Sequence, residues 1–176
     1  NDVPVSYTVI ARYEVGERDQ TIATGTIGAH DRGGITVFSN NTPGVWPIRQ
    51  DTPYALEIRS SGLLTATLSH YDFGVTTGEN FTTRAQNSWA FAEAHRDAST
   101  YRDFLVYYNP TSSAATVRFT LVYSDGTTST FTRTLDALRR GGINFTTDSA
   151  ITRDGAFSVQ IDSDQPLVAA LSSYDI

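Results

Sequence analysis

The chain has 176 residues, of which 13 are basic and 19 acidic, giving a formal net charge of −6 at pH 7. All 13 basic residues are arginine. Phosphate-binding surfaces usually carry a basic excess, so we expect no nucleic-acid partner. The chain contains no cysteine, which excludes disulfides, thiol catalysis and cysteine-bound zinc. No apolar run reaches the roughly 18 residues of a membrane span, so we expect no membrane insertion.

Short segments rich in Thr, Val, Ile, Tyr and Phe occur along the whole chain, separated by Gly, Asp, Asn and Ser. This pattern predicts β-strands joined by turns. The first two such segments after the N-terminal region are ITVF at 35–38 and YALEIRSS at 54–61.

The next segment, Arg84 to Asp97, has a different character. It is rich in alanine and good helix formers, so intrinsic propensity alone predicts a helix.

Alternation returns further along, where Val117, Phe119 and Leu121 are separated by polar residues, with Val122 the exception to the pattern. Asp125-Gly126 provides a tight turn, from which residues 131–135 are predicted to pair back. FSVQID at 157–162 and LVAALSSYD at 167–175 complete the series. Such regularly spaced short strands predict an all-β sandwich or barrel.

The motif Arg-Gly-Gly-Ile occurs at 32–35 and again at 140–143, an offset of 140 − 32 = 108 residues. Downstream, the segment ending at Tyr71-Asp72 resembles the segment ending at Tyr174-Asp175, an offset of 174 − 71 = 103. Offsets that change only in turn-rich stretches indicate an internal duplication. We therefore predict two tandem antiparallel β-sandwich units, over 1–78 and 86–176.

The two copies differ where they begin. The second has a leading block, residues 88–110, that the first lacks, so we predict that the first unit is missing its opening strands. A sheet edge left open in this way is a surface that a neighbouring chain or domain could complete. The motif glycines, Gly33-Gly34 and Gly141-Gly142, are interpreted as permitting a sharp approach into the next strand.

Trp89-Ala90-Phe91-Ala92-Glu93 begins a series that continues with Asn109-Pro110, Asp125-Gly126, Arg139-Arg140 and Pro166-Leu167-Val168. The series resembles the extracellular bacterial modules with a Trp-Tyr-Phe-Ala-Glu-Gly signature, related to the sensory-rhodopsin transducer family. Ala90 and Ala94 depart from the usual Tyr and Gly.

The resemblance implies a β-sandwich in which the Trp-Phe-Ala-Glu segment is the opening strand, so we expect a strand there despite the helix propensity. It also implies modules repeated on secreted or surface proteins, with no enzymatic site attached to the signature. The residues expected to have structural roles are Trp89, Phe91, Glu93, Asn109, Pro110, Arg32 and Arg140.

Among the three histidines, only His70 lies in a Ser-His-Asp-like stretch, Ser69 to Asp72. Adjacent strand residues point to opposite faces, so Ser69 and His70 cannot act together. The acidic stretches SDGT at 124–127 and DSDQ at 162–165 lack the staggered oxygen ligands of a calcium loop. We therefore expect no catalytic residue, no metal and no cofactor. A buried Glu93 would need a partner, for which Arg139 or Arg140 is the candidate.

Aromatic residues provide a binding hypothesis, because exposed rings can stack on sugar faces. The candidates are Trp46, Tyr101, Tyr107 and Tyr108. The alternative is structural: Tyr107 or Tyr108 packs in the core, and Trp46 fills one end of a sandwich.

Together these patterns predict a non-catalytic structural or adhesive module, extracellular or on a bacterial cell surface, that self-associates or joins neighbouring domains of the same protein. The alternative is a carbohydrate-binding module.

Overall fold

The computed structural model of the chain describes residues 1–16, 19–37, 48–49, 52–72, 74–97 and 99–175. All regular structure in these ranges is β-strand, and all strand pairs are antiparallel. The predicted all-β class is therefore confirmed. The chain divides into two compact units, Asn1–Ala66 and Thr67–Ile176, here called unit 1 and unit 2.

Unit 1 contains three strands, β1 (Val5–Tyr13), β2 (Gln20–Ile27) and β3 (Tyr54–Ser60). They form one sheet in the order β2-β1-β3. One face is apolar, because Val9 and Ala11 of the central strand pair with Ile58 and Leu56. On the opposite face the buried Arg12 forms ion pairs with Asp19 and Glu57.

Unit 2 contains the remaining strands and the larger core. The strands are β4 (Thr67–Asp72), β5 (Val75–Asn80), β6 (Gln86–Arg96), β7 (Tyr101–Tyr108), β8 (Ala115–Tyr123), β9 (Thr128–Leu135), β10 (Arg140–Asn144) and β11 (Gly155–Asp175). Strands β4 and β5 form a separate hairpin. The other strands form two sheets that share one long strand, β11.

Strand β11 is 21 residues long. Its first part pairs with β6 and β8, and its second part, from Val168, pairs with β7. Strands that pass from one sheet to another form the corners of a sandwich. The two segments 157–162 and 167–175, expected as separate strands, are thus one strand. The core lies between the sheets, with Tyr107 and Phe119 5.2 Å apart and Phe145 and Phe157 also 5.2 Å apart between ring centroids.

Several predicted elements are found as expected. Residues 86–96 form a strand in place of the helix that propensity favours, and β8 and β9 form the predicted hairpin. Gly126 in the connecting turn has a φ of 82°, a conformation that glycine adopts without strain. Val122 is on the exposed side, at 36 % exposure.

The predicted strand at 35–38 is not found: residues 35–37 are described and lie outside any strand. Isolated apolar segments gain little from an extended conformation unless another strand satisfies their backbone groups. No strand of the described part of unit 1 pairs with this segment.

The order β2-β1-β3 in unit 1 is the same as the order β9-β8-β11 in unit 2. In unit 2 the outer edge of β11 is occupied by β6. In unit 1 no strand of the described residues lies on the outer edge of β3. The internal duplication itself stays a prediction.

Candidate functional site

Strand β6 holds the corner of unit 2 in place. Its residues Trp89 and Phe91 are half-buried and pack against the core. The indole Nε1 of Trp89 donates a hydrogen bond of 3.0 Å to the carbonyl oxygen of Leu167, close to the point where β11 leaves one sheet for the other. Trp89 and Phe91 therefore join β6 to the core and to β11 at this corner.

A bulge in β6 reverses which of its side chains face inward. Phe91 lies opposite Val159, and Ala94 lies opposite Phe157. These two pairs are three residues apart on β6 but only two residues apart on β11. Strand β6 therefore has one extra residue here, which defines a β-bulge. As a result, odd-numbered residues such as Trp89 and Phe91 point inward before the bulge, and the even-numbered Ala94, which is fully buried, points inward after it.

The bulge explains the position of Glu93. Strict alternation would place its side chain inward with those of Trp89 and Phe91, but the side chain is 69 % exposed. Its Oε1 lies 3.2 Å from Nε2 of His95. The prediction of a buried Glu93 paired with Arg139 or Arg140 is therefore wrong.

Asp103 on β7 is a fully buried carboxylate that sequence reasoning missed. Its Oδ2 accepts a hydrogen bond of 2.7 Å from the backbone N–H of His95 and lies 3.2 Å from the Nδ1 of that residue. Its Oδ1 accepts a hydrogen bond of 2.6 Å from the hydroxyl of Ser173. The carboxylate thereby obtains the partners that burial requires, and it links β6, β7 and β11.

The order of contacts in this cluster differs from that of a catalytic triad. In a Ser-His-Asp triad the serine hydroxyl bonds to the imidazole, which accepts its proton. Here Ser173 donates to the carboxylate of Asp103 instead. The imidazole of His95 faces Glu93 and stacks on Tyr101, with ring centroids 4.1 Å apart and an interplanar angle of 15°. The serine hydroxyl is thus paired with a carboxylate and not with the imidazole.

His70 belongs to a second polar group. Its Nε2 lies 2.6 Å from Oγ1 of Thr77 and 3.6 Å from Oε1 of Glu79. The same carboxylate oxygen accepts a hydrogen bond of 3.1 Å from Ser172. Ser69 is exposed whereas His70 is half-buried, in agreement with the predicted separation of these neighbours. Within the described ranges, no group of three or more His, Asp or Glu side chains could hold a metal ion.

Asn109 explains the Asn-Pro part of the signature. Its side chain is fully buried, and Nδ2 donates to the carbonyl oxygens of Ser113 at 2.7 Å and Asp136 at 3.1 Å. Its Oδ1 accepts hydrogen bonds from the backbone N–H and the hydroxyl of Thr111, at 3.0 and 2.7 Å. The exposed Pro110 follows it. Asn109 therefore fixes the loop after β7 against the end of β9.

The two Arg-Gly-Gly-Ile motifs have different surroundings. Arg32 is exposed, whereas Arg140 is half-buried and begins β10. Gly141 lies within β10 opposite Tyr107, and a Cβ there would be 2.6 Å from a ring carbon of that tyrosine. Gly141 thus makes room for an aromatic ring inside a strand, whereas it was expected from the sequence to permit a sharp approach into the next strand. Leu138, between β9 and β10, has a left-handed φ of 57°.

The predicted sugar-stacking rings are mostly not available. Tyr107 is 5 % exposed and Tyr108 is 9 % exposed. Adjacent strand residues point to opposite faces, so β7 is covered on both faces at this point. Stacking on a sugar needs an open ring face, so neither residue can serve, and the alternative of core packing fits Tyr107. Tyr101 is half-buried against His95. Trp46 lies outside the described residues.

Tyr71 on β4 is an exposed ring that sequence reasoning did not consider for binding. It is 77 % exposed. Thr76 lies opposite it on β5, and the neighbouring pair on the same face is Ser69 and Gly78. Since Gly78 has no side chain, the surface beside the ring is open. The signal in the sequence was that Tyr71 follows His70 directly on a strand, and adjacent strand residues point to opposite faces.

The outer edge of β3 is a second candidate binding surface, because no other strand of the described residues pairs with it. At the two ends of the β1–β3 ladder, Pro53 O accepts from Glu14 N and Ser61 N donates to Ser6 O, both at 2.9 Å. Residues of an antiparallel edge strand point their backbone groups alternately toward the neighbour and away from it. Since positions 53 and 61 point toward β1, the even-numbered positions between them point away.

Leu56, Ile58 and Ser60 are therefore outward-pointing along this edge. Leu56 and Ile58 are half-buried and lie on the apolar face of the sheet. Their backbone N–H and C=O groups form a row that can accept a further strand. Between them, Glu57 on the polar face is bound by Arg12 at 2.9 Å and by Arg59 at 2.5 Å.

Comparison with known proteins finds similarity only among solved structures. No family model and no curated protein match the chain. Among solved structures it is similar to the Anabaena sensory rhodopsin transducer, with 22 % identity and a TM-score of 0.45, over 52 % of this chain and 92 % of that chain. It is also similar to a structure of infectious bursal disease virus, Gx strain, with 14 % identity and a TM-score of 0.26, over 97 % of this chain and 54 % of that chain.

At these identities and TM-scores, neither likeness carries an argument about this chain. Membership of the signature modules stays a prediction. Within the described ranges, no helix is long and apolar enough to cross a membrane.

Proposed function

We propose that this chain is a non-catalytic structural or adhesive module of the bacterial surface or extracellular space, and that it assembles by completing open strand edges between neighbours. The observation that supports this function is the outer edge of β3, where Leu56 and Ile58 direct backbone groups away from β1. A strand added there gains main-chain hydrogen bonds together with apolar contacts. Surface location rests on the resemblance of β6 to the signature modules.

The polar clusters support a structural role. Asp103 and Glu79 each accept a hydrogen bond from a serine of β11, at Ser173 and Ser172 respectively. These serines are adjacent, so their side chains leave β11 on opposite faces. Both carboxylates fasten other strands to β11.

Light scattering after size-exclusion chromatography tests the proposal over a wide range of protein concentration. We expect the average mass to rise with concentration, because strand addition is an association equilibrium. A chain that remains a stable monomer at millimolar concentration would contradict the proposed assembly.

The second candidate is a carbohydrate-binding module, which the exposed ring of Tyr71 favours. Its ring lies beside the small or hydroxyl-bearing residues Thr76, Ser69 and Gly78, an arrangement that suits stacking on a sugar. A glycan array compares the wild type with Tyr71→Ala and Trp46→Ala. Loss of binding in either variant but not in Tyr101→Ala would support this function, and an array without signal for the wild type would exclude it.

A further inference from the structure

We propose that β3 pairs with β3 of a second copy of this chain, antiparallel, about a twofold axis that passes through Ile58. This inference rests on the proposed function, since it names the partner and the register of one open edge. The result would be a six-stranded sheet in the order β2-β1-β3-β3-β1-β2, built from two copies of the order in unit 1.

The backbone phase of the edge permits this pairing. Ile58 points its N–H and C=O away from β1, so two copies of Ile58 can exchange both hydrogen bonds as one antiparallel pair. Leu56 and Ser60 point the same way and would meet each other across the axis. All outward groups from 56 to 60 are then satisfied without any change to the β1–β3 ladder.

The charges on the edge choose this register among the alternatives. An axis through Ile58 places Glu57 opposite Arg59 of the second copy, and cross-strand pairs of opposite charge are stabilising. An axis through Glu57 would place the two copies of Glu57 opposite each other, and like charges there are destabilising. An axis through Leu56 would place Glu57 opposite Ala55, with no charge pair.

The two faces of unit 1 also match across this axis. Leu56 and Ile58 lie on the face that carries Val9 and Ala11, so the joined sheet has one continuous apolar face. Arg59 is on the polar face with its side chain 63 % exposed, which leaves it accessible to the second copy. A twofold contact of this kind closes on itself and uses the same surface on both chains.

Single cysteines test the register, because the natural chain has none. Ile58→Cys would face its own copy at a Cα distance of about 5.5 Å, within the range that a disulfide bridges. Ser60→Cys and Leu56→Cys have the same outward phase, but each would be about 13 Å from its copy along the strand. We expect oxidation to convert Ile58→Cys, and neither control, to a covalent dimer on a non-reducing gel.

Each other outcome of the cysteine test counts against the inference. Cross-linking of Ser60→Cys or Leu56→Cys in preference to Ile58→Cys overturns the register. Self-association of the wild type with no cross-link at any of the three positions places the contact elsewhere, so the inference fails while the proposed function stands. A wild type that is monomeric in light scattering overturns both.

Proline supplies an independent variant. Since the N–H of Ile58 points away from β1, Ile58→Pro removes only the donor that the second copy would use, and proline is tolerated at such edge positions. We expect the circular dichroism spectrum to be unchanged. The dissociation constant of the dimer should rise about tenfold or more, because two symmetry-related hydrogen bonds are lost together. An unchanged constant in the folded variant would refute the pairing.

Discussion

Ser173 on β11 donates a hydrogen bond of 2.6 Å to Asp103 on β7, across a cross-strand pair whose carboxylate is fully buried. The other carboxylate oxygen accepts from the backbone N–H of His95 on β6. Asp103 therefore provides a hydrogen-bond acceptor for a backbone N–H of β6, a strand whose regular pairing with β11 is interrupted by a bulge.

We expect Asp103→Ala to lower the free energy of unfolding by about 2 to 4 kcal/mol, because it leaves the His95 N–H unsatisfied and opens a small cavity. Asp103→Asn should cost less, since its amide oxygen can accept from His95 while its amide group donates to Ser173. Ser173→Ala should cost about 1 to 3 kcal/mol. Urea denaturation of the three variants measures the loss in free energy of unfolding for each of them. Equal losses for Asn and Ala at position 103 would contradict this account.

The tight contact between Gly141 and Tyr107 gives a second prediction. A methyl group at position 141 would lie 2.6 Å from a ring carbon of Tyr107, and relief requires movement of a ring that is buried in the core. We expect Gly141→Ala to lower the free energy of unfolding by about 1 to 3 kcal/mol. Gly34→Ala, in the other copy of the motif, is the control, because no atom of the described residues lies within 4 Å of its added methyl. A loss at Gly34 equal to that at Gly141 would show that the contact is not the cause.

The turn after β8 should make stability depend on pH in acid. Hydrogen bonds from Thr127 and Arg153 hold the pKa of the exposed Asp125 below its usual value of 3.8. A depressed pKa in the folded state contributes stability above the unfolded pKa, and this contribution is lost as pH falls through the folded pKa.

Asp125→Asn keeps the acceptor for Thr127 but removes the charge. We therefore expect wild type to exceed the variant in melting temperature at neutral pH, with a gap that is constant down to about pH 5 and shrinks as pH falls below the usual pKa of 3.8. Calorimetry at a series of pH values measures the gap. The effect should be small because the ion pair with Arg153 is exposed, and a gap that widens in acid would refute the assignment.

Strand positions were predictable from the sequence where they depend on local alternation. The hairpin of β8 and β9 follows from apolar residues at every second position and from Asp125-Gly126 in the turn. The strand at β6 was predicted from its resemblance to a signature and against its local propensity. This succeeded because β6 is stabilised by its pairing with β11, and tertiary pairing can override intrinsic preference.

Features that depend on how distant strands meet were not predictable. The bulge at Ala92-Glu93 exists only in the register of β6 on β11, so alternation alone assigned Glu93 to the wrong face. Asp103 sits in an apparently ordinary run of strand residues, and its burial follows from the meeting of β6, β7 and β11. The pattern at 35–37 was strand-like, but no strand of the described part of unit 1 pairs with it.

The role of Asn109 can be tested by a substitution that keeps the shape of its side chain but replaces the amide donor with a carboxylate. Nδ2 donates to the carbonyl oxygens of Ser113 and Asp136. Asn109→Asp would replace this donor with a carboxylate oxygen that faces the two carbonyls in a fully buried position. Burying an unpaired charge costs more than losing a hydrogen bond.

We expect Asn109→Asp to lower the free energy of unfolding by at least about 3 kcal/mol at neutral pH, and to recover part of this as acid protonates the new carboxyl. Asn87→Asp is the matched control. Asn87 also donates through Nδ2 to a carbonyl oxygen, that of Ser163 at 2.9 Å, but it is exposed. Solvation of the new charge should limit the loss there to about 1 kcal/mol. Urea denaturation at neutral and acidic pH compares the two variants, and similar losses at both positions would mean that burial of Asn109 does not determine its role.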